Sequence, residues 1–322
     1  MSQPRAKRQR TEGDKDASIT RSNIWYKDGS VVLQAQNTQF RVHWGLLSQN
    51  SSFFRDLEDL PQPPDQPTVD RCPVIELPDD EVDVEFVLKA LYSPTFLCQT
   101  SLPFAAVAAH IRLGRKYDFK ELLDSAVGRL AFENPTSFEE FEARFVAMGY
   151  IPTRITPSPG FYFDTVTLLS ENRLWSLLPC ACFRLVTMHN AAQLFDGLPR
   201  GDGTLASLSL VDLRRCVAGR ERLFTKQFES GYTFGWRRAL QFDACANRAS
   251  SGRLCGHTRY ALVETYSDGL SLPGSPEELS CIYKHLCSAC CDQIKPASLA
   301  GFKKIWEELP DAFGVPALTN DP

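Results

Sequence analysis

The chain has 322 residues, 43% of them hydrophobic and 23% charged, with a formal net charge of −4 and a pI of about 5.8. That composition is ordinary for a globular protein, the length accommodates two domains, and the acidic balance argues against nucleic-acid binding, which needs a basic face. No apolar run approaches the roughly 18 residues of a membrane helix, and the basic start lacks the apolar core of a secretion signal. The expected compartment is intracellular and reducing, nuclear or cytoplasmic, so the eleven cysteines are expected as thiols or metal ligands, not as disulfides.

Residues 1–22 are polar and lack apolar periodicity, which predicts a disordered basic tail. Within it Lys7–Arg10 fits a short nuclear-import signal. From Val31 the pattern alternates with period two: Val31, Leu33 and Ala35 fall on one face, a polar break follows at Gln36–Gln39, and Phe40 and Val42 resume it. This predicts a β-hairpin. Leu46 and Leu47, then Phe53, Phe54 and Leu57, switch to helical spacing, with Ser51 placed as an N-cap. The proline-rich Pro61–Asp70 reads as a surface insertion before a strand at Val74–Leu77. Asp79 or Asp80 can cap a helix with the stripe Val84, Val87, Leu88 and Leu91. Phe104, Val107, Ala108 and Ile111 form the next stripe. Asp118 with Glu121 has capping-box spacing ahead of a helix through Leu130.

The second part reads as helical. Residues 134–160 are expected as a linker, with a short helix at Phe138–Met148 and an extended, proline-bearing end. Residues 161–318 are expected as a helical, cysteine-containing domain. Its predicted helices are Phe163–Glu171, Arg173–Met188 with a kink or break at Pro179, Leu208–Phe228, Cys281–Ile294 and Ser298–Leu309. The stripe of Leu208–Phe228 is read as Leu210, Leu213, Val217 and Leu223/Phe224.

Several ordered blocks together resemble the BTB (POZ) domain: Val31–Gln36, Phe40-Arg41-Val42-His43, Leu46-Leu47, Phe53-Phe54, Pro73–Asp80, Ala90–Pro94 and Leu113–Leu130. Fungal BTB proteins that open with W-[FY]-x-D-G, here Trp25–Gly29, are the nearest in pattern. They often close with L-C-x-x-C and W-x-x-L-P-x-x-F-G, here Leu286–Cys290 and Trp306–Gly314. The resemblance covers about a third of the chain. It implies an α+β BTB/POZ domain over residues 23–133, a structural role for His43, and a module that dimerises and docks partners. The partners it implies are a second copy of the chain and unidentified proteins, including a cullin in the adaptor version of the role.

Enzyme signatures are absent: there is no G-x-S-x-G elbow, P-loop, dinucleotide fingerprint or H-E-x-x-H. The function that the BTB resemblance implies is a non-enzymatic, self-associating scaffold or adaptor. The alternatives are a substrate adaptor of a cullin-type ubiquitin ligase and a thiol redox protein using the C-terminal cysteines. Cys72, Cys98, Cys180, Cys182 and Cys216 sit in or beside apolar segments and read as core residues. Cys287 and Cys290 form a C-x-x-C that can present two thiolates from one turn. Cys245 and Cys255 flank the polar stretch 246–254, expected as a loop folding back to complete one structural zinc site. His257 is an alternative to Cys255, and Cys291 is a spare.

Overall fold

The computed structural model describes residues 19–61, 65–148, 151–239, 243–246, 253–268, 273, 279 and 283–316. The basic run Lys7–Arg10 lies outside them. The fold is mixed α/β with a small sheet and a helical C-terminal region. The chain divides into two compact units. One holds the described residues up to Cys98 together with Ala109–Asp124, and the other holds Gln99–Ala108 and the described residues from Ser125 onward. No helix among the described residues is long and apolar enough to cross a membrane.

The first unit begins with β1 (Thr20–Trp25), β2 (Val31–Ala35) and β3 (Thr38–Val42), then α1 (Trp44–Asn50) and α2 (Ser52–Glu58). Next come β4 (Thr68–Val69), β5 (Cys72–Leu77), α3 (Glu81–Tyr92) and α4 (Pro94–Leu97). The five strands lie in the order β1-β3-β2-β5-β4. β2 and β3 form the expected hairpin, pairing Val31 with Val42 and Leu33 with Phe40, and Gln36 turns it at φ 49°. β5 adds parallel to β2, with Val32 opposite Val74. Thr20–Ser22 are not part of a tail. They open β1, which pairs parallel with β3 from Thr20 opposite Thr38, so backbone ladder bonds order a stretch that has no apolar pattern to announce it.

Alternation in the hairpin points Val31, Leu33, Ala35, Phe40 and Val42 into one buried cluster with Leu47, Phe54, Val84, Val87, Leu88, Leu113, Tyr117, Phe119 and Leu122. Val32 faces the other side and packs with Cys72 and Val74. Both sequence-read caps are made. The Ser51 hydroxyl accepts the Phe54 N–H at 3.1 Å and donates to the Tyr117 carbonyl at 2.5 Å, and Asp80 accepts the Val82 N–H at 2.9 Å.

The remaining elements are β6 (Leu102–Pro103), α5 (Phe104–Lys116), α6 (Lys120–Glu133), α7 (Phe138–Met148), β7 (Ile155–Thr156), α8 (Phe161–Glu171), α9 (Leu178–Met188), α10 (Ala191–Asp196), β8 (Leu198–Pro199), β9 (Leu205–Ala206), α11 (Leu210–Lys226), α12 (Trp236–Ala239), α13 (Arg253–Asp268), α14 (Ser288–Glu307) and α15 (Leu309–Ala312). α6 starts at Lys120, one residue later than a capping box on Asp118 requires. Asp118 itself turns left-handed (φ 54°), and its carboxylate accepts from the Ser52 hydroxyl. The extended stretch before α8 is fastened. Ile155 is fully buried in the β6–β7 pair, and the Glu133 carboxylate accepts the Thr153 and Arg154 N–H groups at 2.9 and 2.6 Å.

Three helices differ from their sequence patterns. Pro179 starts α9 in its first turn and does not kink a longer helix, because a helix N-terminus needs no N–H there. On α11 the buried face is Asp212, Cys216, Gly219 and Leu223, while Leu210 is 85% exposed. The face can include Asp212 because Arg215 pairs with its carboxylate. α14 runs through Pro296 as one helix where two were expected. Its face of Cys290, Ile294, Phe302, Ile305 and Trp306 is buried on both sides of the proline, and that packing outweighs the lost backbone bond. Trp306 lies in an aromatic cluster, its ring 4.1 Å from Phe141 and 6.1 Å from Phe183.

Candidate metal centre

Three segments of the second unit bring four cysteines together. Cys245 comes from the short stretch 243–246 and Cys255 from the first turn of α13. Cys287 is the N-cap of α14, and Cys290 follows in its first turn. The four sulfurs lie within 4.8 Å of one another, with Cys287 and Cys245 at 3.9 Å. A tetrahedron of Zn–S bonds near 2.3 Å requires sulfurs about 3.8 Å apart, so the cluster has metal-site dimensions and needs only a small contraction.

Each sulfur is oriented by a neighbour. The Cys287 N–H donates to Cys255 Sγ at 3.2 Å, and Arg259 donates from its guanidinium to Cys290 Sγ at 3.2 Å. The Cys290 and Ala246 N–H groups point at the Cys287 sulfur. They are the leading cause of its thiol being lowered to about 6. Cys290 is pushed the other way, up to about 12, first by burial and then by hydrogen bonds with Cys245 and Cys287. Cys255 and Cys290 are buried at 0% and 1% exposure among Phe234, Trp236, Val263, Tyr283 and Ile294. An apolar shell of this kind limits water and raises the strength of any ion–thiolate contact.

The sequence reading of the ligand set therefore lands on one cluster, but its picture of the backbone needs correction. Cys255 is presented by a helix, not by a folded-back loop. Residues 247–252 of the expected loop lie outside the described residues. His257, two positions further on α13, is exposed and outside the cluster, because a helix turns about 200° in two residues. Cys291 is half-buried and also outside the set. Sequence reasoning missed Arg259, four residues beyond Cys255, because no helix was read over Arg253–Asp268 and its partner Cys290 lies on another element.

The other singled-out residue, His43, sits in a polar contact network. Its Nδ1 and its backbone N–H meet the Tyr92 hydroxyl at 2.9 and 2.7 Å, and its Nε2 is 3.3 Å from Asp28. Tyr26 stacks on Tyr92 at 4.4 Å. These contacts tie β3 to the end of α3. The ten cysteines among the described residues are all free thiols. Comparison of the chain with models of known protein families and with curated proteins finds no match.

Proposed function

We propose that this chain is a non-enzymatic protein-interaction protein, a self-associating scaffold or adaptor, whose C-terminal unit is fastened by one structural zinc ion. The interaction reading rests on the order of elements in the N-terminal unit. A hairpin, two short helices, a strand parallel to the hairpin, a helix and then a helix pair follow one another in the order that the BTB resemblance implies. In this reading residues 23–133 are a BTB/POZ domain and residues 161–318 a helical cysteine-containing domain. The protein acts inside the cell, in the nucleus or the cytoplasm, as a homodimer that docks further proteins, a cullin among them in the adaptor version. The test is the mass in solution by light scattering at micromolar concentration. A dimer, twice the 36.1 kDa chain, supports self-association, and a monomer at all concentrations rejects it. A partner list from proximity labelling decides the adaptor version by the presence or absence of a cullin.

The zinc reading rests on the four-sulfur cluster. Cys245, Cys255, Cys287 and Cys290 would fill all four tetrahedral positions, which is the composition of a structural site with no open position for substrate. Metal analysis of the purified protein is expected to give about one zinc per chain, lost in Cys287→Ser/Cys290→Ser. A thiol redox role is the second reading, favoured by the lowered Cys287 thiol at a helix N-terminus. Native alkylation separates the two: a redox thiol reacts fast at neutral pH, whereas a zinc-bound one reacts slowly until a chelator is added.

A further inference from the structure

The second unit carries a concave site distinct from the cysteine cluster. Its volume is about 570 Å³, inside the range of roughly 300–1,000 Å³ that ligand pockets occupy. Indole surface comes from Trp306 on α14 and from Trp175 just before α9. The Trp306 ring is fixed by its Nε1–H, which donates to the Thr136 carbonyl at 3.2 Å. Pro179, Pro310 and Pro316 add rigid apolar walls. Cys180 belongs to the same lining, and burial pushes its thiol up to about 12, so it stays neutral and adds no charge to the floor.

The rim has a different chemistry. Its charged groups are three carboxylates, Glu139, Glu307 and Asp311, and one ammonium, Lys303. Lys303 is held by Glu139 at 2.5 Å, so the rim presents net negative charge over an aromatic floor. All four side chains are exposed. A positive group placed there meets carboxylates at the edge, which attract cations, above an apolar floor in which Trp306 packs on Phe141 and Arg215 already lies over the Trp175 ring. Proline-rich extended segments dock onto aromatic-lined grooves at small entropic cost, because their backbone is already stiff.

We infer that this site binds a linear peptide of a partner protein in which an arginine or lysine flanks an apolar, proline-containing segment. The sign of the rim selects the occupant. Within this chain, residues 317–322 offer Asp321 and no cation, and the basic run Lys7–Arg10 lies in the polar stretch 1–18 with no apolar segment beside it, so charge and apolar complementarity together point to a partner. The inference concerns the second unit alone and does not depend on the BTB resemblance.

The experiment is fluorescence anisotropy of full-length protein against a labelled nine-residue peptide of prolines and leucines with one central arginine. Companion peptides carry glutamine or glutamate at that position. Saturable binding of the arginine peptide is expected, with the glutamate peptide weaker by about tenfold or more. Glu307→Lys/Asp311→Lys should weaken the arginine peptide by at least about tenfold and remove the preference over glutamate. Both positions are exposed, so far-UV circular dichroism should be unchanged. Trp175→Ala should weaken all three peptides alike. The inference is overturned by no saturation with the arginine peptide, by equal affinity for the glutamate peptide, or by an arginine affinity indifferent to the Lys substitutions.

Discussion

Phe54 shows how little tolerance a single position can have. It is 1% exposed, with ring contacts to Phe53, Tyr117 and Phe119 at 5.3 to 5.8 Å. An aspartate there would leave a carboxylate without a partner in an apolar cluster, at a cost of several kcal/mol against a whole-domain stability of about 5–15 kcal/mol. Phe54→Asp is expected to abolish the cooperative urea transition of the first unit and its near-UV dichroism. His189 makes a second, subtler prediction. Burial holds its imidazole below the ordinary value of 6.5, opposed by the hydrogen bond from its Nδ1 to the Leu185 carbonyl. The unfolded chain therefore binds the proton first as pH falls, so stability contributed by neutral His189 is present above about pH 6.5 and declines below it. His189→Asn keeps a donor for Leu185 and should flatten the fall in melting temperature between pH 7 and 5. An unchanged slope would remove His189 from the account. At this scale the sequence was legible where the rule is local. Ser51 and Asp80 could be read as caps because a cap needs only its own residue and the next three. Arg215, which makes a buried Asp212 possible, could not be seen because nothing in α11's pattern marks that face as inward.

Among elements, α14 is the most demanding to place. Gly301 lies so close to the segment at Tyr232 and Thr233 that an added Cβ would sit 2.2 Å from the Tyr232 carbonyl carbon and 2.4 Å from the Thr233 nitrogen. Backbone cannot rotate away as a side-chain tip can. Gly301→Ala should destabilise the protein by about 1–3 kcal/mol despite alanine's better helix propensity. A denaturation midpoint equal to wild type would show that the helix can shift at no cost. Periodicity found α3, α5 and α6 because their apolar stripes are clean. It missed α13, where Arg253–Asp268 mixes charged and small residues and is held through Cys255 and Val263. It divided α14 at Pro296 because proline is a local stop signal, and only the packing beyond it says otherwise.

At the level of the molecule, both units have buried apolar cores, and the second adds four clustered thiols. The first has a continuous apolar cluster between sheet and helices. Around the cysteines the second has a smaller one, into which four thiols are built. Titrating zinc into metal-stripped protein should raise its melting temperature in a dose-dependent way, because an ion that binds only the folded form stabilises it by mass action. Cys245→Ser should reduce both the metal content and the gain, whereas Cys98→Ser, exposed and outside the cluster, should change neither. Equal behaviour of the two variants would remove the metal centre. The four-cysteine cluster was legible because C-x-x-C spacing is itself a geometric statement. Its helical presentation and the guanidinium of Arg259 were not, since both depend on how α13 meets the start of α14.

The distribution of the four sulfurs along the chain also bears on how the protein is made. Cys245 and Cys255 are synthesised more than thirty residues before Cys287 and Cys290, so on the zinc reading the growing chain holds half a chelate for that interval. Two thiols cannot close a tetrahedron, and they stay open to oxidants or to a mismatched metal until the last pair arrives. On the zinc reading proposed above, folding of this region waits for synthesis of the second cysteine pair and for ion supply at that moment. A cell short of zinc should accumulate full-length chain that is protease-sensitive around the centre while the N-terminal sheet is already formed. Pulse-labelled chain digested under zinc limitation would reveal that order.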